Sequence, residues 1–140
     1  VPVLDWEGGQ SVEWVNEFVN IVHDQTGIWP WIYANPWRFN QGGVEQNCMR
    51  WIASYPDVLR PGLDYDPGEP PETDGLVGCW QYASDGQVPG YAGNLDVNRF
   101  FGSVGAWMAY AGVPSTGAPS EPIGQSVLEN DRFRVTIEEK

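Results

Sequence analysis

Two acidic residues, Asp5 and Glu7, follow a short apolar segment at residues 1–4, and their spacing could support acid–base chemistry. Residues two apart in a strand share a face, so both carboxylates point the same way, about 6–7 Å apart along the backbone. Neighbouring carboxylates raise each other's proton affinity, so one can stay protonated while the other remains an anion. Cleavage of a glycosidic bond needs such a pair. A solvated loop, or a charge at the start of a helix, is an alternative explanation of the same pattern.

Asp96 is a third candidate because it is a lone acid in a short apolar segment before the last predicted helix. An N-cap of that helix explains it equally well, and Asn98 is an alternative cap. Aromatic residues at or near strand ends suit stacking on sugar rings, although each alone is also an ordinary core residue. The candidates are Tyr33, Tyr55, Trp80 and Tyr82.

Strands and helices alternate along the chain and must position these side chains. Strands are predicted at residues 1–4, 29–34, 50–55, 76–82 and 94–98. A helix capped by Ser11 and ended by Gly27 follows the first strand, a short helix spans 44–49, and a last helix spans 100–111. Residues 56–75 form a long loop. We expect residues 113–140 to be a tail or linker, within which 134–138 could pair as one extra strand.

This alternation predicts an α/β fold with a parallel sheet, either a barrel or a doubly wound sheet. A doubly wound nucleotide-binding domain needs a glycine-rich phosphate loop after its first strand. Gly8 and Gly9 are too short a motif, and the carboxylates beside them would repel phosphate. The sequence therefore favours a barrel.

Charge and composition exclude several classes of protein. The 140 residues carry a formal net charge of −12, which argues against binding to nucleic acids or anionic membranes. No apolar run approaches the ~18–20 residues that a membrane span needs. Cys48 and Cys79 stand outside any metal-binding pattern, so we expect buried free thiols rather than a zinc site or a bridge. A divalent-cation site of Asp5, Glu7 and Asp96 is the least favoured alternative, and no cofactor is expected.

Several motifs occur in an order that resembles the later part of the glycoside hydrolase family 25 lysozymes, the muramidases common in phage endolysins. They are LDWE at 4–7, WIY at 31–33, WIASY at 51–55, WQYAS at 80–84, VPG at 88–90 and NLDVNRF at 94–100. The resemblance covers residues 1 to about 112. It implies an irregular TIM-like β/α barrel of eight strands that cleaves the β-1,4 bond between N-acetylmuramic acid and N-acetylglucosamine in peptidoglycan.

The resemblance also implies roles for the candidate residues. Glu7 would be the general acid, and Asp5 and Asp96 would supply negative charge to an oxocarbenium- or oxazolinium-like centre. Tyr33 and Tyr82 would line the sugar subsites. The site of action would be extracellular or at the bacterial cell wall, and the protein would be phage-encoded.

The sequence departs from the family in lacking the first three strands, including one that carries an Asp at the mouth of the site. The last five strands alone cannot close a barrel and would leave an open edge. Either the chain is a cleaved or excised C-terminal part, or another chain supplies the missing strands. We expect the second arrangement, with a noncovalent partner that carries the N-terminal strands or a nicked enzyme whose halves stay docked, so that catalysis belongs to the assembly. The alternative is a non-enzymatic cell-wall-binding or virion structural module that keeps the fold.

Overall fold

The computed structural model describes residues 1–62, 64–110, 126–129 and 134–137. The elements in chain order are β1 (Val3–Asp5), α1 (Val12–Thr26), β2 (Trp31–Ala34), α2 (Pro36–Phe39), β3 (Arg50–Ala53), β4 (Val77–Gly86), β5 (Leu95–Phe100), α3 (Val104–Tyr110), β6 (Ser126–Glu129) and β7 (Arg134–Ile137). In the described part of the chain, no helix is long and apolar enough to cross a bilayer. The mixed α/β class and the five predicted strands of the main sheet are confirmed.

The main sheet has the strand order β1-β2-β3-β4-β5 and is parallel from β1 to β4. β5 runs antiparallel to β4, so the expectation of a parallel sheet is wrong for the last strand. Only residues 87–94 separate β4 from β5, which is too short for the crossover that a parallel neighbour requires. The predicted extra strand at 134–138 pairs as β7 with β6, in a separate two-stranded sheet. The rest of the predicted tail, at 113–125, 130–133 and 138–140, lies outside the described residues.

The two faces of the main sheet differ in what covers them. The face called here the core face packs against α1 through Val15 and Val19, which are fully buried. It carries Leu4, Trp6, Ile32, Ile52, Trp80 and Val97. The opposite face, called here the open face, is covered at one end by α3, where Trp107 and Tyr110 pack on Trp31, Cys79 and Phe100. The other end of the open face remains exposed, and the candidate site lies there.

The helix α1 follows the predicted boundaries because its end signals are satisfied. The Ser11 hydroxyl accepts a hydrogen bond from the Trp14 amide at 3.3 Å, and Gly27 adopts the left-handed conformation at φ 70°. The short helix predicted at 44–49 is wrong, since that segment forms turns. The short helix is α2 instead, which Asn35 caps by accepting from the Arg38 amide and which Pro36 begins.

Arg50 explains why residues 44–48 do not form a helix. Its side chain is fully buried, and its guanidinium donates to four main-chain carbonyl oxygens, three of them within residues 44–48. These oxygens, at 2.7–3.4 Å, belong to Val44, Glu45, Cys48 and Asp74. Gly75 has φ 105°, and a Cβ there would lie 2.5 Å from Arg50 Nε. The guanidinium therefore joins the segment before β3 to the end of the long loop.

Cys48 and Cys79 are both free and buried, as the sequence favoured. Cys48 belongs to the cluster on the core face and Cys79 to the cluster on the open face. Burial raises the pKa of the Cys48 thiol to about 11 and that of Cys79 to about 12. Both thiols therefore stay protonated and unreactive at neutral pH.

We expect Arg50→Met to lower the free energy of unfolding by about 3 kcal/mol or more, because it leaves several buried carbonyls without a donor. The free energy of unfolding of Arg50→Lys should lie between those of the wild type and Arg50→Met, since an ammonium reaches fewer of these oxygens. Urea unfolding measures the difference. Arg60→Met removes an exposed guanidinium as a matched control and should change stability by less than about 0.5 kcal/mol. Equal stabilities of the two methionine variants would contradict this role for Arg50.

Candidate active site

Asp5 and Glu7 stand at the carboxyl end of β1, on the open face. The residue between them, Trp6, is 1% exposed and lies in the core. The Trp6 amide donates to the Tyr33 carbonyl at 2.8 Å, and its indole Nε1 donates to the Gln10 carbonyl at 3.0 Å. Because alternate residues face opposite ways, the burial of Trp6 leaves both carboxylates exposed. The prediction that Asp5 and Glu7 share a face is confirmed.

Asp96 reaches the same edge of the sheet because β5 runs antiparallel. Leu95, at the start of β5, pairs with Gly86 at the end of β4. Val97 is buried in the core, so Asp96 and Asn98 lie on the open face, where both are exposed. The N-cap interpretation of Asp96 and Asn98 is wrong, since both lie within β5.

The start of α3 is occupied by another residue. The helix begins at Val104, and the Ser103 hydroxyl accepts a hydrogen bond from the Ala106 amide at 3.1 Å. Ser103 therefore provides the cap that the sequence assigned to Asp96 or Asn98.

Gln81 links the tyrosines of the open face and was missed in the sequence. Its Oε1 atom accepts hydrogen bonds from the Tyr33 hydroxyl at 2.6 Å and from the Tyr55 hydroxyl at 2.8 Å. Gln81 is 5% exposed and lies between Trp80 and Tyr82 in β4. A polar residue with bulky apolar neighbours on both sides of it in a strand is the signal that could have identified it. Both hydroxyl protons are used within the protein, so each phenol oxygen is left to accept a hydrogen bond from a ligand.

The pKa of the Tyr33 phenol is raised by its surroundings, which include negatively charged residues. Its pKa is raised to about 12, mainly by burial, with Tyr55 and then the carboxylates of Glu7 and Asp96 adding to the effect. These two acids belong to opposite ends of the sheet, one after β1 and one in β5. Glu7 and Asp96 therefore both lie within electrostatic range of the Tyr33 hydroxyl. Asp5 also adjoins Tyr33, since the two are paired in the register of β1 and β2.

Trp51, Tyr33 and Tyr55 form the aromatic part of the open face. The rings of Tyr33 and Trp51 meet edge to face, with centroids 5.6 Å apart. Trp51 Nε1 donates to Asn98 Oδ1 at 2.8 Å, which connects β3 to β5 across the sheet. Tyr55 is 52% exposed. Trp51 was quoted in the sequence motifs without a role, and its orientation toward the site comes from the register of β3.

Trp80 and Tyr82 do not join the acids, which corrects their assignment as substrate-binding residues. They are 3% and 4% exposed and lie in the core cluster. Trp80 Nε1 donates to the Ser54 carbonyl at 2.7 Å, and Tyr82 packs against Tyr65 with centroids 5.9 Å apart. Strand alternation explains the outcome, because Gln81 occupies the open face and its two neighbours must point into the core.

The arrangement offers carboxylates, hydroxyl acceptors and aromatic surfaces on one exposed face. Among the residues that the structure describes, no group of three His, Cys, Asp or Glu side chains could hold a metal ion. The carboxylates can transfer protons and stabilise positive charge, beside rings that can stack on a sugar.

The sequence model of the Glycosyl hydrolases family 25 matches residues 1–91. The chain belongs to this family. The match includes Asp5, Glu7, Tyr33, Tyr55 and Gln81, while Asp96 follows it by five residues. No curated protein matches the chain.

Three solved structures share this fold over most of the chain. The muramidase from Acremonium alcalophilum is 27% identical with a TM-score of 0.53, over 78% of this chain and 54% of that one. The family 25 lysozyme from Aspergillus fumigatus is 23% identical with a TM-score of 0.55, over 78% and 55%. The bacterial lysozyme from Streptomyces coelicolor is 23% identical with a TM-score of 0.57, over 78% and 54%. The chain thus spans about half the length of the structures it matches.

We expect the Tyr33 phenol to ionise near pH 12 rather than at the ordinary value of 10.0. Because the folded state holds this proton more tightly than the unfolded state, stability is intact below pH 10 and falls as the pH rises toward 12. The phenolate absorbance of the wild type minus that of Tyr33→Phe isolates this group, and circular dichroism recorded in parallel follows the fold. A difference spectrum that titrates at 10.0 would contradict the argument from burial and charge.

Proposed function

We propose that this chain carries part of the catalytic domain of a peptidoglycan hydrolase, an N-acetylmuramidase that cleaves the β-1,4 bond between N-acetylmuramic acid and N-acetylglucosamine. One observation carries the proposal: the carboxylates of Asp5, Glu7 and Asp96 are exposed on the open face, which also carries the two tyrosines linked by Gln81, in a family 25 chain. The named muramidase and lysozymes among its structural neighbours support the same substrate class.

In this proposal Glu7 is the general acid. It gives its proton to the glycosidic oxygen as the bond to the anomeric carbon breaks, so the leaving sugar departs as a neutral alcohol. Positive charge develops at the anomeric carbon, and the carboxylates of Asp5 and Asp96 stabilise it or orient the substrate's own N-acetyl group. Water then adds to this carbon, and the proton that it releases balances the one that Glu7 gave up.

The remaining residues of the open face bind the glycan. Tyr33, Trp51 and Tyr55 offer ring surfaces for a sugar, and the phenol oxygens accept from its hydroxyl or amide groups. Gln81 fixes both tyrosines through one oxygen atom. No cofactor has a part in this mechanism. The site of action would be the bacterial cell wall, reached from a host cell or a virion, and a phage gene remains a prediction of the resemblance.

We further propose that an N-terminal segment, in the same polypeptide or a second chain, completes the barrel against β1. β1 is an edge of the sheet, and Val1 and Val3 are 41% and 42% exposed. An unpaired parallel edge with apolar side chains is a template for another strand. The coverage of about half of each neighbour's length supports the same proposal.

An apolar stripe on α1 also favours a neighbour on the β1 side. Trp14 and Phe18 are stacked with centroids 5.5 Å apart, and with Ile21 they are 38–48% exposed. Asn16 bonds to Gly43 and Glu45, on the side of α1 toward β3. At 3.6 residues per turn the stripe falls on the opposite flank, beside the open edge of β1. A helix preceding β1 would pack there.

We expect Glu7→Gln to lower the rate of glycan cleavage by about a hundredfold or more, because the amide cannot donate the proton. Asp96→Asn should also lower kcat, since the neutral side chain cannot stabilise positive charge. Release of reducing ends from purified peptidoglycan, by the chain combined with its N-terminal segment, measures both. Glu17→Gln removes an exposed charge on α1 as a matched control. Binding of peptidoglycan without cleavage by the wild type would instead favour the non-enzymatic module.

We expect native mass analysis of the purified protein to show this chain joined to further N-terminal sequence, covalently or as a second polypeptide. Trp14→Ser and Phe18→Ser should weaken the association of separate chains, because they remove apolar area from the proposed contact. Leu59→Ser, at an 85% exposed position in the long loop, serves as the control. A lone, soluble 15.6 kDa species would contradict the partner proposal.

A further inference from the structure

We propose that Arg38 is a positioning residue that fixes the backbone on which Glu7 stands. The inference rests on the proposed function, since it assigns Glu7 a reacting proton. Arg38 lies in α2 and makes its contacts with the segment after β1, which α1 separates from it in the sequence. No sequence motif pointed to this residue.

The guanidinium of Arg38 holds two consecutive carbonyl groups. Its Nη2 atom donates to the Glu7 carbonyl at 2.9 Å and to the Gly8 carbonyl at 2.5 Å. Successive carbonyls of an extended chain point to opposite sides, so both can reach one nitrogen only if the chain turns directly after Glu7. The contact therefore defines the turn that ends β1 and sets the direction in which the Glu7 side chain leaves the backbone.

Arg38 is itself held by the core beneath the site. Its guanidinium lies over the Trp6 ring, 5.1 Å from the centroid, and Trp6 meets Phe39 edge to face at 6.5 Å. Phe39 is fully buried, and the Asn35 cap fixes the first turn of α2. The guanidinium thus reaches the turn from a rigid support.

The segment after Glu7 needs such a support because its sequence provides little stiffness. Gly8 and Gly9 follow directly, and glycine has more backbone freedom than any other residue. Before Glu7, the Trp6 amide is bonded to the Tyr33 carbonyl at 2.8 Å. The Trp6 amide and the Arg38 guanidinium therefore hold Glu7 from both sides, and both contacts come from the β2–α2 unit.

Main-chain contacts distinguish this role from that of a charge partner. In the part of the chain that the structure describes, neither of the ion pairs involves Arg38 or Glu7. Arg38 bonds to the Glu7 carbonyl, and the carboxylate is left for the substrate. Loss of Arg38 should therefore lower kcat by changing how often the Glu7 side chain is in place.

The experiment compares Arg38→Met, Arg38→Lys and the charge-matched control Arg60→Met. The backbone NMR order parameters of Gly8 and Gly9, measured on the chain, should fall in Arg38→Met and stay unchanged in Arg60→Met. In the active assembly, kcat of Arg38→Met should fall about tenfold to a hundredfold, the cost of a misplaced catalytic group. KM should stay within about twofold, and the pH profile of kcat should keep its midpoints. Arg38→Lys should recover part of kcat because an ammonium can donate to both carbonyls.

Different results would contradict the role of Arg38 and the proposed function of the chain. Wild-type kcat in Arg38→Met, beside an inactive Glu7→Gln, overturns the role of Arg38 and leaves the proposed function standing. A shifted pH profile in Arg38→Met also overturns it, because that result identifies a charge partner. Full cleavage by Glu7→Gln overturns the proposed function itself. If Arg38→Met does not fold, the Arg38→Lys variant is the test. A kcat equal to that of the wild type, together with lower order parameters at Gly8 and Gly9, then overturns the inference.

Discussion

The burial of Trp6 under the end of β1 determines where the acids of this site can lie. Its ring contacts Phe39, its indole nitrogen holds the Gln10 carbonyl, and its amide is bonded to Tyr33. The side chain cannot rotate out of the core without losing its ring contact and its indole hydrogen bond, while the amide bond to Tyr33 holds the main chain beside β2. Since neighbours in a strand point to opposite faces, the fixed Trp6 forces Asp5 and Glu7 onto the open face.

The same alternation explains the rest of the site, whose polar residues lie in strands that are mainly apolar in sequence. β4 buries Trp80 and Tyr82 and leaves Gln81 on the open face, where one amide oxygen receives two tyrosine hydroxyls. β5 buries Val97 and leaves Asp96 and Asn98 exposed. The antiparallel direction of β5 then matters, because it brings the start of this strand, with Asp96, to the edge where the parallel strands end.

Two arginines bind main-chain carbonyl groups at opposite ends of the sheet: Arg50, which is buried, and Arg38, which is partly buried. Arg50 donates hydrogen bonds to carbonyl oxygens before β3, and Arg38 donates to carbonyl oxygens after β1. A guanidinium suits both positions because its planar set of donors can satisfy several main-chain oxygens at once. Both arginines hold segments that no helix or strand stabilises, and in the case of Arg38 that segment carries the proposed general acid.

The sequence by itself determined the local features of this protein. The caps at Ser11 and Gly27, the shared face of Asp5 and Glu7 and each of the family motifs depend on residues close together in the chain. The tertiary structure decided the direction of β5, the burial of Trp80 and Tyr82, the links made by Gln81 and the positions of Arg38 and Arg50. Periodicity shows which residues share a face, whereas contacts between distant segments decide which face meets solvent and which strands become neighbours.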